Sequence, residues 1–277
     1  MKRGSCLRVF IFTLVFLLLF GGVSATGIVN GYHFDEPMEL INDENEYLFV
    51  YDFADSFHGA KGSWTYNQYP EQVAGKSGYA YNFDGRDDRI GFQNQNTPVF
   101  SNPFTLEMWI KLNNPVSPSH AFTLIKSSPV TNAEQGFQLG INIYGCLYIV
   151  DPHLGILDSN FCSWNLNQWY HIAFVYDSTY NKLYVNNQPV GQKLYNTALS
   201  GNFNLRYMTI GTECTSGTCN NFFDGVMDEI KFYNYTKTSF DINKDIAYKT
   251  EKCNSNSDCS SGLNCKEDFQ RIIFNNQ

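Results

Sequence analysis

Residues 164–191 read WNLNQWYHIAFVYDSTYNKLYVNNQPVG. Tyr170, Ile172, Phe174 and Tyr176 alternate with His171, Ala173 and Val175, the period of a pleated strand. Asp177 to Asn181 is polar and carries turn chemistry. A second strand is predicted over Lys182–Val185, closed by Asn186-Asn187, because Asn tolerates the left-handed backbone of a tight hairpin turn. Val190-Gly191 opens the next strand.

Outward from this hairpin the same grammar repeats. Tyr47–Asp52 reads as a strand that leads into Asp55-Ser56-Phe57-His58-Gly59-Ala60-Lys61-Gly62. Gly78 to Ile90 reads as an alternating strand ending at Phe83, a turn at Asp84-Gly85, and a new strand from Ile90. In Pro103–Lys111, Phe104, Leu106, Met108 and Ile110 share one face, and Thr105, Glu107, Trp109 and Lys111 share the other. Residues 121–126 and 136–150 give further strands, the latter split by Gly145. Met208–Gly211 and Phe222–Tyr233 close the series, and Thr238–Ala247 is read as a short helical turn. Many short strands punctuated by turns imply a two-sheet sandwich.

Four of these segments resemble, in order, the motifs of the laminin-G-like jelly rolls of the concanavalin A-like superfamily. They are YAYNFDGRDDRI (79–90), PFTLEMWIK (103–111), WYHIAFVYD with KLYVNNQPVG (169–191), and IG followed by FFDGVMDEIKFY (210–233). Asn187 stands where the family more often has Gly, and Phe57-His58 depart from its first loop. The resemblance spans about residues 46–250 and implies an all-β, two-sheet antiparallel jelly roll.

Composition agrees with an all-β reading. Aromatics make up 16% of the chain and charged residues 17%, against about a quarter charged in average domains. The formal charge is −8. Without residues 1–25, which hold Lys2, Arg3 and Arg8 and no acid, 16 basic residues face 27 acidic ones, a charge of −11. An acidic chain without a basic stripe is a poor candidate for binding nucleic acid or anionic membrane.

Lys2, Arg3 and Arg8 precede the apolar run Val9–Phe20, and small residues follow at 23–25. This order predicts a secretory signal peptide over 1–25, with an uncleaved anchor as the alternative; the run is short for a membrane span. Residues 26–45 form a lead with a short strand around Tyr32 and Phe34. Residues 251–277 form a short tail. Seven cysteines remain beyond Cys6, and export favours disulfides. Cys214 and Cys219 are expected to pair within one loop, and Cys146 with Cys162 across a hairpin. Cys253, Cys259 and Cys265 are odd in number, which leaves one free, paired elsewhere or bridging chains. Zinc is disfavoured, since the tail has no His and its spacing is too wide.

Chemistry is sparse. A retaining glycosidase needs two carboxylates on one face, about 5 Å apart. Glu107 stands alone on its strand, and adjacent Asp228 and Glu229 are expected on opposite faces. The five histidines lack a catalytic context, and His171 reads as structural. The resemblance implies a structural calcium held by Asp55, Asp228 and the Gly225 carbonyl. Trp64, Tyr66, Tyr69, Tyr144, Tyr148, Trp164 and Tyr195 are candidate sugar-stacking aromatics. Asn234-Tyr235-Thr236 has the form of a glycosylation acceptor. The expectation is a secreted or cell-surface, non-catalytic protein that binds a glycan or an extracellular protein through its loops, without membrane insertion after signal cleavage. The alternatives are a structural or adhesive module and, less favoured, a glycoside hydrolase.

Overall fold

The computed structural model describes residues 28–32, 34, 48–50, 59–61, 69–92, 99–100, 103–128, 136–151, 155–177, 179–194, 203–204, 207–215 and 218–248. The expected signal segment, Asp55, Trp64, Tyr66, Tyr195 and the tail cysteines Cys253, Cys259 and Cys265 lie outside them.

The hairpin forms as its sequence dictates. Strand Trp169–Tyr176 pairs antiparallel with Tyr180–Val185, which pairs in turn with Gln188–Leu194. Asn186 and Asn187 take φ of 49° and 64°, the two left-handed residues of a tight turn whose twist matches its strands. On its other side Trp169–Tyr176 pairs along its whole length with Phe104–Leu112, from Trp169 opposite Lys111 to Tyr176 opposite Phe104. Phe104–Leu112 then pairs with the last strand, Asp224–Tyr233. These three ribbons are the middle of the first sheet. Tyr79–Asp84 and Glu71–Ala74 extend it, and Ile28–Tyr32 pairs with the far half of the last strand.

The second sheet runs Gly155–Asp158, Leu147–Asp151, Gln138–Ile141, Phe122–Ser128, Tyr207–Ile210, Ile90–Gly91, Gly59–Lys61 and Leu48–Val50. Both sheets are antiparallel, and their facing side chains make one core. Leu106, Met108, Ile110, Ile172, Phe174, Met227 and Phe232 from the first sheet meet Leu124, Leu139, Ile149 and Ile210 from the second. Aromatic rings pack within and between the layers. Within the first sheet Phe104 lies 5.6 Å from Phe174 and 5.4 Å from Tyr176; towards the second sheet Phe104 lies 6.2 Å from Phe137, and Phe223 lies 5.7 Å from Phe122.

A helix, Ser239–Tyr248, covers part of the outer face of the first sheet. Thr238 and Asp241 cap it reciprocally: Thr238 N–H donates to the Asp241 carboxylate at 2.9 Å, and Asp241 N–H donates to Thr238 Oγ1 at 3.3 Å, the geometry of a capping box. Ile242 and Ile246, one turn apart, pack on Ala173, Val175 and Tyr184. Trp169–Tyr176 is therefore buried on both faces. The expected short turn is a full ten-residue helix.

Candidate functional site

The last strand carries a departure from simple alternation that bears on the site. Met227, Ile230 and Phe232 all point into the core. The step from 227 to 230 is odd, so two successive residues, Asp228 and Glu229, face outward. Glu229 takes φ +54°, and the register against Phe104–Leu112 slips between Asp228, opposite Trp109, and Lys231, opposite Glu107. This is a β-bulge, which re-aims side chains. The expectation that adjacent Asp228 and Glu229 lie on opposite faces is corrected accordingly.

The bulge places Glu229 in a cluster under the helix. Glu107 and His171, on neighbouring strands, are both 2% exposed. Lys237, from the connection before the helix, donates to Glu107 Oε2 at 2.7 Å and to Asp245 Oδ2 on the helix. Lys237 Nζ also lies 3.6 Å from the centre of the Tyr233 ring, whose hydroxyl donates to Asp245 at 3.0 Å. Lys231 pairs with Glu229 at 2.8 Å. The connection is tied down further: Thr105 Oγ1 donates to the Tyr235 carbonyl and accepts from Lys237 N–H.

Burial dominates the ionisation of this cluster. It pushes the Glu107 carboxyl up to about 8, against the opposing pull of Lys237. It pushes the His171 ring down to about 3, with Lys237 adding to the effect. Asp245 is also lifted by burial, but Lys237 and a neutral Glu107 beside it outweigh this and hold it at about 2. At neutral pH the arrangement is an Asp245–Lys237 ion pair beside a protonated Glu107 and a neutral His171. Glu107, Trp109, His171, Glu229, Lys231 and Asp245 line a cavity of about 10 Å³, room for about one water.

The expected calcium ligands are not assembled among the described residues. Asp228 is fully buried, and its Oδ2 accepts the N–H groups of Lys76 at 2.8 Å and Ser77 at 3.0 Å. Gly225 is three regularly paired residues away, about 10 Å along a strand, whereas two oxygens on one calcium lie within about 5 Å of each other. Gly225 has a steric role instead, since a Cβ there would come within 2.4 Å of the Lys111 carbonyl and 2.6 Å of the Phe223 ring. Gly225 O and the Asp228 carboxylate therefore do not converge on one ion, and Asp55, the third expected ligand, lies outside the described residues. The carboxylates of Asp84, Asp87 and Asp88 do gather within 4.8 Å. Two of the three are engaged by their own turn: Asp84 Oδ1 accepts Arg86 N–H, and Asp88 Oδ2 accepts Asp84 N–H.

At one end of the sandwich, where Phe104–Leu112 finishes, three loops converge. They are 113–120, 142–146 and 159–168. Cys146–Cys162 bridges two of them, and Trp164 Nε1 donates to the Gly145 carbonyl at 2.7 Å. Asn167 N–H donates to Leu112 O at 2.8 Å. Gly145 has φ +82°, and a Cβ there would lie 3.2 Å from the Cys162 carbonyl and 3.5 Å from Val116. Cys214 and Cys219 also pair, across the small hairpin Glu213–Thr215/Thr218–Asn220.

The candidate aromatics separate by burial. Trp164 is half-buried against Phe161 and Tyr170. Tyr148 is buried and its hydroxyl accepts from Gln138. Tyr69 is 38% exposed, and Tyr144 is 80% exposed at the tip of the 142–146 turn. Asn234 is half-buried at the bend between the last strand and the helix. Sequence reading missed Lys237 and Asp245, because nothing in spacing links them to Glu107, 130 residues away from Lys237. The Thr238-x-x-Asp241 box was the available sign of the helix that carries Asp245.

Solved structures resemble this fold at low identity. Domain 4 of an extracellular arabinanase from Geobacillus stearothermophilus, solved with arabinotriose, matches with a TM-score of 0.55 and 19% identity over 79% of this chain and 98% of its own. The receptor-binding domain of a botulinum neurotoxin C/D mosaic matches with a TM-score of 0.57 and 14% identity, covering 81% of this chain and 51% of that one. A Trypanosoma rangeli sialidase matches at 0.54 and 13%, covering 78% and 32%. A search of curated proteins returned no significant match. The sequence profile of the laminin-G-like branch of the concanavalin A-like lectin/glucanase superfamily matches residues 84–243. That span holds the paired central ribbons, the bulged last strand and the start of the helix that follows it, and on this ground the chain belongs to the laminin-G-like family of the concanavalin A-like superfamily.

Proposed function

We propose that this chain is an extracellular, non-catalytic binding domain that recognises a glycan through the loops at the Leu112 end of the sandwich. The observation that carries this reading is a contrast of access. Glu107 and Glu229 are buried under the helix, and the space they line holds about one water, far too little for a sugar ring. The loop rim, by comparison, is open and fixed by a disulfide. The two disulfides fit an oxidising compartment, and among the described residues no helix is long and apolar enough to cross a membrane. The neighbours named above include a domain solved with arabinotriose and a receptor-binding domain, which supports a reading of recognition.

The test is a glycan array probed with the disulfide-bonded chain, with and without EDTA, beside a polysaccharide hydrolysis assay. Array binding without turnover is the expected result. Turnover that disappears in Glu107→Gln would overturn the non-catalytic reading. Binding only to an extracellular protein would replace the ligand class. Loss of binding in EDTA would restore a calcium site completed by residues beyond those described.

A further inference from the structure

The three loops at the rim share a property that their positions in the sequence conceal. Residues 113–120 are NNPVSPSH, 142–146 are NIYGC and 159–168 are SNFCSWNLNQ. None is Asp, Glu, Lys or Arg, in a chain that is 17% charged. Folding brings these separate stretches together, so the charge-free surface is a product of tertiary structure. Its polar groups are amides and hydroxyls, among them exposed Asn114, Ser163, Asn165 and Asn167.

Tyr144 stands on the 142–146 turn of this surface and is 80% exposed. It does not owe its position to packing of its own ring. Its N–H donates to Asn142 Oδ1 at 3.0 Å, as does the N–H of Cys146. Gly145 N–H donates to Asn142 O at 2.8 Å. The backbone on either side is thereby held, and the disulfide holds it again. A rigid backbone that presents one wet aromatic face loses little entropy on binding. Exposed Ile143 and Leu166 add apolar surface on the same loops.

The borders of the surface are acidic or occupied. Asn114 donates to Asp224, and Asn142 donates to Asp158. Asp84, opposite Asp224 in register, continues the acidic edge. The nearby cation Lys111 lies over the Trp169 ring at 5.0 Å, and Arg89 points to Cys219 Sγ at 3.5 Å. Carboxylated or sulfated sugars are held by Arg and Lys, and these loops offer neither.

We propose that the rim binds an uncharged saccharide, stacked on Tyr144 and hydrogen-bonded by the surrounding amides and hydroxyls. The proposal rests on the glycan-binding reading above and narrows its ligand class. It is tested by affinity electrophoresis of the disulfide-bonded chain through gels containing neutral polysaccharides (an arabinan, a galactomannan, a β-glucan) or anionic ones (heparin, alginate), at low and high salt. Retardation by a neutral polymer, unchanged by salt, is expected. It should weaken about tenfold or more in Tyr144→Ala, the equivalent of losing one good aromatic contact, and persist in Tyr144→Phe. Urea midpoints of both variants should match the parent. Salt-sensitive retardation by the anionic polymers alone would overturn this inference and leave glycan binding standing. Neutral binding indifferent to Tyr144→Ala would overturn the placement on the rim. Retardation by no polymer of either class would overturn the glycan reading itself.

Discussion

Replacing Glu107 by Gln tests the electrostatic account of the buried cluster. Glu107 is lifted by burial from 4.5 to about 8. The folded chain therefore holds a proton there at neutral pH while the unfolded chain has released it. The folded state binds more protons, so stability is highest below the unfolded pKa, declines as pH rises from about 4.5 to about 8, and then levels off. Each pH unit in that window costs about 1.4 kcal/mol, or about 3 kcal/mol by pH 7. Gln is nearly isosteric with the neutral acid and does not titrate. Its carbonyl can accept from Lys237 as Glu107 Oε2 does at 2.7 Å. Glu107→Gln should match the parent near pH 4.5 and exceed it by about 2–3 kcal/mol at pH 7–8, once local relaxation is allowed for. Urea unfolding of both proteins across pH 4.5–8.5 reads the difference, and groups common to both cancel. A difference that does not change with pH, or a Gln variant weaker throughout, would show that Glu107 is a carboxylate paired with Lys237 and would refute the reasoning.

Three further outcomes follow from the same packing. Lys237→Met removes the cation shared by Glu107 and Asp245 and should cost about 1–3 kcal/mol at pH 7, since two carboxyl groups lose a hydrogen-bond donor; limited proteolysis should then cut first around the Ser239–Tyr248 helix. His171 is held neutral down to about pH 3, against 6.5 when unfolded, so it withdraws stability as pH falls from about 6.5 towards 3, and His171→Gln should flatten that limb of an acid titration followed by circular dichroism. Gly225→Ala drives a methyl into the Lys111 carbonyl and the Phe223 ring and should lower the urea midpoint by the equivalent of about 2–3 kcal/mol; an unchanged midpoint would show that the strands separate there without strain.

Much of the fold was legible in local pattern. Tyr170, Ile172, Phe174 and Tyr176 alternate because a strand has period two, and they are core residues. Asn186-Asn187 fixed the turn because few residues accept two left-handed conformations in a row. The disulfide partners Cys146–Cys162 and Cys214–Cys219 were readable for a related reason, since each pair flanks a hairpin. The bulge was not readable. DGVMDEIKFY contains no Gly at Glu229, and a phase slip of one residue appears only when Met227 and Ile230 must both reach the core.

By itself the sequence determined what neighbours along the chain determine: strand periods, turn residues, and the composition that makes a sandwich and a charge-free loop. Tertiary structure alone decided which distant residues share a dielectric. It brought Glu107, His171, Glu229, Lys237 and Asp245 into one largely buried cluster and gathered three uncharged loops, separate in sequence, at the rim that carries Tyr144. Ionisation and recognition depend on through-space distance and on exclusion of water, and neither quantity is carried by position along the chain.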